Sequence, residues 1–211
     1  MRILLTFVVV LSTLSTPSHA ADPVGYWARA ASPFQEVRDQ RRLIFPAPNG
    51  RAMILVDGSR VWVRVDQRVR HLDRDVGVGW PAELAWAADS SGFFITQTDG
   101  GIVGTWSTRA FVLQRNVVRV VDPAREAVPR FRAQYSCATA DVPNTAAIAW
   151  LDGARRLLLA TEVPPHSGCG ETGKVAGYVV AVPSGSIERE LTADALKREF
   201  GALLGPRLAG P

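Results

Sequence analysis

The chain reads as an all-β protein of antiparallel strands, ending in one C-terminal amphipathic helix. Three observations predict this. Between residues 41 and 191 the apolar residues fall in short runs of Val, Ile, Leu and aromatics, punctuated by Gly, Pro, Asn and Asp. The segment VWVRVDQRV alternates, with Val61, Val63 and Val65 on one face and Trp62, Arg64 and Asp66 on the other. After Leu191 the period becomes helical, placing Leu196, Phe200 and Leu203 on one stripe.

Residues 1–20, MRILLTFVVVLSTLSTPSHA, have the form of a secretory signal peptide. Arg2 supplies the positive start, Ile3 to Leu14 the apolar run, and Ser18 and Ala20 the small residues before a cleavage point. The run is shorter than the roughly 20 residues that span a bilayer, so cleavage rather than anchoring is expected. The expected location is periplasmic or secreted. Residues 21–40 form an irregular entry to the domain. Strands are expected at Ala52 to Val56, Val61 to Val65, Glu83 to Ala87, Phe93 to Thr98, Phe111 to Leu113 and Val117 to Val121. Further strands are expected at Ala147 to Leu151, Leu157 to Thr161, Val175 to Val182 and Ser186 to Leu191. The helix of residues 192–205 is expected to start at Thr192 as N-cap, with Leu191 and Leu196 as a hydrophobic staple. Gly205-Pro206 stops it.

Three segments share one grammar: IFPAPNGRAMILVDGSRVWVRV, LAWAADSSGFFITQTDGGIVGTW and IAWLDGARRLLLATEV. In each, an apolar strand ends in Pro or Trp, a turn rich in Asn, Asp and Gly follows, and a second strand opens with large apolar residues. Asn49-Gly50 and Asp152-Gly153 suit hairpin turns that need positive φ. Trp86 and Trp150 occupy equivalent positions. These units resemble the repeats of TolB-like and WD40-like β-propellers, whose blades carry an apolar-Trp-Ser-Pro-Asp-Gly stretch. The chain lacks that Ser-Pro at Ala87-Ala88 and at Leu151. The resemblance implies a propeller-like meander. Four blades are the usual minimum for a closed propeller, so a chain this short implies an incomplete or minimal one. A sandwich built with the same turn chemistry is the alternative.

The formal charge is +4, and Lys174 and Lys197 are the only lysines among 24 basic residues. Arg60, Arg64, Arg68, Arg70 and Arg74 alternate with Asp57, Asp66, Asp73 and Asp75, as on a solvated strand face. The alternative is a surface for lipid headgroups, an acidic protein or a glycan. The basic surplus is small, and an exported protein does not meet nucleic acid, so no nucleic-acid partner is expected.

Cys137 and Cys169 are the only cysteines. In an oxidising compartment such a pair reads as one structural disulfide. It would close a loop of about 30 residues, worth about 3 kcal/mol in the chain-entropy model. The alternative is a reactive Cys169 served by His166. The run GCGETGKV, from Gly168 to Val175, nearly matches a P-loop, but Val175 replaces the hydroxyl that would hold magnesium, and a strand-like VAGYVVAV follows. No nucleotide and no other cofactor is expected. His71 and His166 have no partner at metal-ligand spacing, so no metal is expected. There is no Gly-x-Ser-x-Gly elbow and no His-Glu-x-x-His pair. A catalytic alternative would combine His166 with Asp141 or Asp152 and Ser136 or Ser167, or pair Glu162 with Glu171.

The PPHSGC loop, from Pro164 to Cys169, interrupts a hairpin and is the expected contact element. Candidate binding residues are His166, Glu171 and Lys174. The expected function is that of a non-catalytic binding protein of the bacterial envelope, of inhibitor, immunity or complex-accessory type. Its expected partner is another envelope or secreted protein, with at most peripheral membrane association. The alternative is a periplasmic hydrolase or lyase acting on an envelope glycan or peptide.

Overall fold

A computed structural model describes residues 24–34, 42–58, 60–72, 81–100, 104–114, 117–136, 142–168 and 170–210. The expected leader, both cysteines and Asp141 lie outside the described residues. The fold is all-β, as the alternation predicts, with three antiparallel sheets and short C-terminal helices that do not close into a barrel.

The first sheet is a four-stranded meander of β2 (Leu43–Pro46), β3 (Ala52–Asp57), β4 (Arg60–Val65) and β5 (Arg68–His71). The second contains β6 (Ala82–Trp86), β7 (Gly92–Thr98), β8 (Trp106–Gln114) and β9 (Val117–Val121). Its outer edge is extended by β1 (Ser32–Phe34), which pairs with β6. The third is again a meander, of β10 (Asn144–Leu151), β11 (Arg156–Glu162), β12 (Val175–Ala181) and β13 (Ser186–Thr192). Helix α1 (Ala127–Gln134) links the second sheet to the third, and α2 (Ala193–Phe200) and α3 (Pro206–Ala209) end the chain.

The sheets stack face to face in chain order. Because β7 has period two, it sends Phe93 and Ile95 one way and Phe94 and Thr96 the other. Phe93 and Ile95, with Leu84 and Phe111, pack on Ile54, Val56, Val61 and Val63 of the first sheet. The Phe93 and Phe111 rings stack at 4.5 Å. Phe94, Ala110 and Val112 instead pack on Ala147 and Leu157 of the third sheet. Both faces of the second sheet are therefore buried, and β7 is apolar without strict alternation. The third sheet is covered on its far side by Leu196, Leu204, Leu208 and Trp27, which meet Ile148, Leu158 and Val179. Its near face is shared with α1 through Phe131, Leu159 and Tyr178.

The repeat grammar has a three-dimensional counterpart. The Trp86 indole N–H donates to the Phe45 carbonyl of the preceding sheet at 3.2 Å. The Trp150 indole N–H donates to the Ala85 carbonyl of its own preceding sheet at 3.3 Å. The turns also join the sheets, both onto the serines of the middle turn: Asn49 N–H of the first sheet's turn donates to Ser90 Oγ, and Ala154 N–H of the third's donates to Ser91 Oγ. Gly153, at φ +63°, packs so tightly on the Asp89 carboxylate that a β-carbon there would overlap it.

Thr192 caps α2 as expected, accepting from the Ala195 N–H at 3.2 Å. The expected helix of 192–205 is shorter and broken, with α2 ending at Phe200, a single 3₁₀ turn over Gly201–Leu203, and α3 beginning at Pro206. Strands β1 and β5 and helix α1 add to the elements expected from sequence, and β2 is the apolar strand ending in Pro46 that opens the first repeat unit.

Candidate functional site

A cleft lies where the third sheet meets the C-terminal helices. It has a volume of about 460 Å³ and is lined by Tyr135, Glu162, Lys174, Thr192, Lys197 and Arg207, among others. Its walls come from distant parts of the chain. Tyr135 follows α1, Glu162 and Lys174 flank the Gly-rich loop, Thr192 and Lys197 begin and line α2, and Arg207 belongs to α3.

A buried polar network fixes the floor. Glu162 is only 7% exposed. Its Oε2 accepts from Arg207 Nη2 at 2.7 Å, from Arg207 Nε at 3.2 Å and from Asn144 Nδ2 at 2.9 Å. Asn144 Oδ1 in turn accepts the Trp106 backbone N–H at 2.9 Å. The Arg207 guanidinium lies over the Trp27 ring at 4.5 Å. A charge this far from water is tolerable only when paired and hydrogen-bonded. Glu162 is thus occupied in holding α3 to the third sheet.

The two lysines differ. Neither Lys174 nor Lys197 has an ion-pair or hydrogen-bond partner through its side chain among the described residues. They are the chain's only lysines, and they line one cleft. Asp194, in the first turn of α2, also lines it. With Glu162 neutralised by Arg207, two free ammonium groups face one free carboxylate. The cleft therefore carries a positive surplus suited to an anionic group. An ammonium serves as a compact point charge here, where a guanidinium would impose a planar fork.

The loop between β11 and β12 is held by its own backbone. Gly173 N–H donates to the Val163 carbonyl, Val163 N–H to the Lys174 carbonyl, and Ser167 N–H to the Pro164 carbonyl. Thr172 Oγ1 donates to the Ser167 carbonyl at 2.7 Å. Of the three expected binding residues, only Lys174 lines the cleft. His166 is exposed on the turn. Glu171 is half-buried and accepts from Ser136 Oγ at 3.3 Å. Ser136 and Glu171 lie close in sequence to the two cysteines, so this bond brings the α1 end and the Gly-rich loop together.

The combinations weighed for catalysis separate. Asp152 sits in the turn before β11 and His166 in the turn after it. A seven-residue strand at about 3.3 Å per residue puts them roughly 20 Å apart. Asp152 pairs instead with Arg155 and Arg156. Glu162 is bound to Arg207, so it does not act as the free partner of Glu171. Among the described residues no three His, Cys, Asp or Glu side chains form a metal-binding group.

A second buried acid lies nearby. Glu83 of β6 is fully buried and accepts the backbone N–H groups of Trp27 and Ala28 at 3.1 and 3.2 Å. Gly25 fits against it without a side chain, since a β-carbon there would lie 2.9 Å from the Glu83 Oε2. Burial pushes the Glu83 carboxyl up to about 7, against the amide bonds from Trp27, Ala28 and Tyr26 that favour its ionised form. Glu83 staples the N-terminal segment, and with it Trp27, beneath Arg207.

Sequence spacing gave no sign of Arg207, Lys197 or Asn144 as neighbours of Lys174. The one available clue was compositional, the presence of only two lysines in an arginine-rich chain. No protein-family model, no curated protein and no solved structure matches this chain.

Proposed function

We propose that this is an exported, non-catalytic binding protein of the bacterial envelope. It engages another envelope or secreted protein by taking an acidic group of that partner between Lys174 and Lys197. The observation that carries this reading is the convergence of the only two lysines, both unpaired, in a cleft of about 460 Å³. Clefts of this size accommodate small ligands or a few side chains. The Gly-rich loop forms one wall, and the Glu162–Arg207 pair keeps the floor rigid.

The framework belongs to the same proposal. The three stacked sheets, with the equivalent indole hydrogen bonds of Trp86 and Trp150, support reading the chain as an incomplete propeller-like array. The Ser136–Glu171 bond supports a Cys137–Cys169 disulfide that staples the loop. Mass spectrometry of protein taken from the periplasm tests that bond: two free thiols would exclude it.

The functional reading is tested by cross-linking and pull-down with Lys174→Glu/Lys197→Glu beside His166→Ala. Loss of a specific partner with the double reversal, and its retention with His166→Ala, is the expected outcome. Retained capture with both lysines reversed would remove the cleft from the interface. A hydrolytic turnover abolished by His166→Ala would replace binding with catalysis.

A further inference from the structure

The first sheet breaks the pattern of the other two. Its inner face packs on the second sheet, but its outer face has no sheet or helix over it among the described residues. That face presents Ile44, Leu55, Trp62 and Val69, with Ile44 57% and Val69 56% exposed. The register places Ile44 beside Leu55, Leu55 beside Trp62, and Trp62 beside His71, so the apolar residues form a continuous band across the strands. The His71 ring meets the Trp62 ring edge-on at 5.4 Å. A depression of about 260 Å³ opens in the band, between Leu55, Trp62 and Val69, with the Arg42–Asp57 ion pair at its side.

Solvated sheet faces alternate apolar-in and polar-out. Here the outward positions are largely apolar, which is the composition of a covered face. The charges around the band are one-sided. Asp57 is taken by Arg42, and Asp66 by Arg51. Arg60 and Arg64, which point outward with Trp62, have no ion-pair partner among the described residues.

We infer that the outer face of the first sheet is a docking surface for an acidic segment of a partner protein, whose apolar anchor enters the depression beside Trp62. Charge and size select this occupant. A second copy would bring a face with the same surplus of positive charge from Arg60 and Arg64. Two strands about 20 Å long and two about 13 Å long, about 4.8 Å apart, offer a face of about 300 Å², less than half of what each side of a standard stable interface buries, about 800 Å². A segment laid across the strands, with carboxylates reaching Arg60 and Arg64, fits both the area and the sign. This face lies at the opposite end of the stack from the lysine cleft and does not depend on it.

The test uses the purified full chain and two synthetic amphipathic helical peptides. One carries a leucine stripe flanked by glutamates, the other the same stripe flanked by lysines. Fluorescence anisotropy is expected to show saturable binding of the glutamate peptide and at least tenfold weaker binding of the lysine peptide. Val69→Glu, Trp62→Ala and Arg60→Glu/Arg64→Glu are each expected to weaken the glutamate peptide at least tenfold. Val69 and the two arginines are exposed, so their variants remain informative if Trp62→Ala unfolds. Absence of saturable binding, equal binding of both peptides, or binding indifferent to Val69→Glu would overturn the proposal. So would a dimer in sedimentation equilibrium, or co-sedimentation with phosphatidylglycerol vesicles, that Val69→Glu abolishes.

Discussion

Replacing Glu83 by Gln should remove most of one pH dependence from the stability of this protein. Glu83 is fully buried and has its carboxyl pushed up from an ordinary 4.5 to about 7. Between these values the folded protein holds a proton that the unfolded chain has released. Stability from this group is therefore complete below about pH 4.5 and falls as the pH rises through about 7. At 1.36 kcal/mol for each pH unit, the interval amounts to about 3 kcal/mol. For a domain of this size that is roughly 6–12 °C in Tm. Trp27 and Ala28 donate to separate oxygens of Glu83, so Gln keeps the side-chain shape but accepts only one of the two amides; that loss does not vary with pH, and Gln does not ionise. Urea unfolding of both proteins across about pH 4 to 8 isolates the effect, since all other titrating groups cancel in the difference. The variant should gain on the parent by about 3 kcal/mol over that range. A constant difference, or one of opposite slope, would refute the reasoning. The opposite slope would mean that the amide cradle outweighs burial and holds the carboxylate ionised.

Arg207→Ala strands Glu162 in a buried site with only Asn144 for company, and should cost about 2–4 kcal/mol in urea unfolding. Glu162→Gln added to it should recover part of that loss, because no buried charge is left unpaired. Tyr178→Phe removes a buried hydroxyl with no hydrogen-bond partner among the described residues, so stability should be unchanged or higher by up to about 1 kcal/mol. Thr192→Ala removes the cap of α2 and should cost about 1 kcal/mol, read as a lower urea midpoint with unchanged m.

Much of the strand pattern was legible because it is set by neighbours in sequence. Val61, Val63 and Val65 alternate in the sequence and are buried or half-buried on one face in the fold. The hairpins at Asn49-Gly50 and Asp152-Gly153 follow from residues that tolerate positive φ. The elements missed have weak local signals for physical reasons. β5 is an edge strand, RVRH, exposed at every position, so no core imposes alternation on it. β8 is expected from sequence only over Phe111 to Leu113, because Ser107, Thr108 and Arg109 dilute its apolar start, and in fact runs from Trp106. Thr108 is buried because its hydroxyl pairs with Thr96 across the strands. α1 carries Pro129, which reads as a break, yet stands in the first turn, where no amide hydrogen bond is lost. The candidate binding set fared unevenly. Lys174 lines the cleft, while His166 and Glu171 share its loop without lining the cleft.

By itself, the sequence determined what depends on a few adjacent residues: the strand period, the turns and the cap at Thr192. Tertiary structure alone decided what depends on which sheet faces meet. Lys174 and Lys197 are 23 positions apart, and only the packing of α2 on the third sheet brings them to one cleft. Nothing local in the sequence marks Glu83 or Glu162 as buried; they become so because the segments at Trp27 and Arg207 fold over the sheets. Steric preference acts over neighbouring bonds and is written locally. Burial and charge pairing depend on the whole arrangement of faces, which no short stretch of this chain contains.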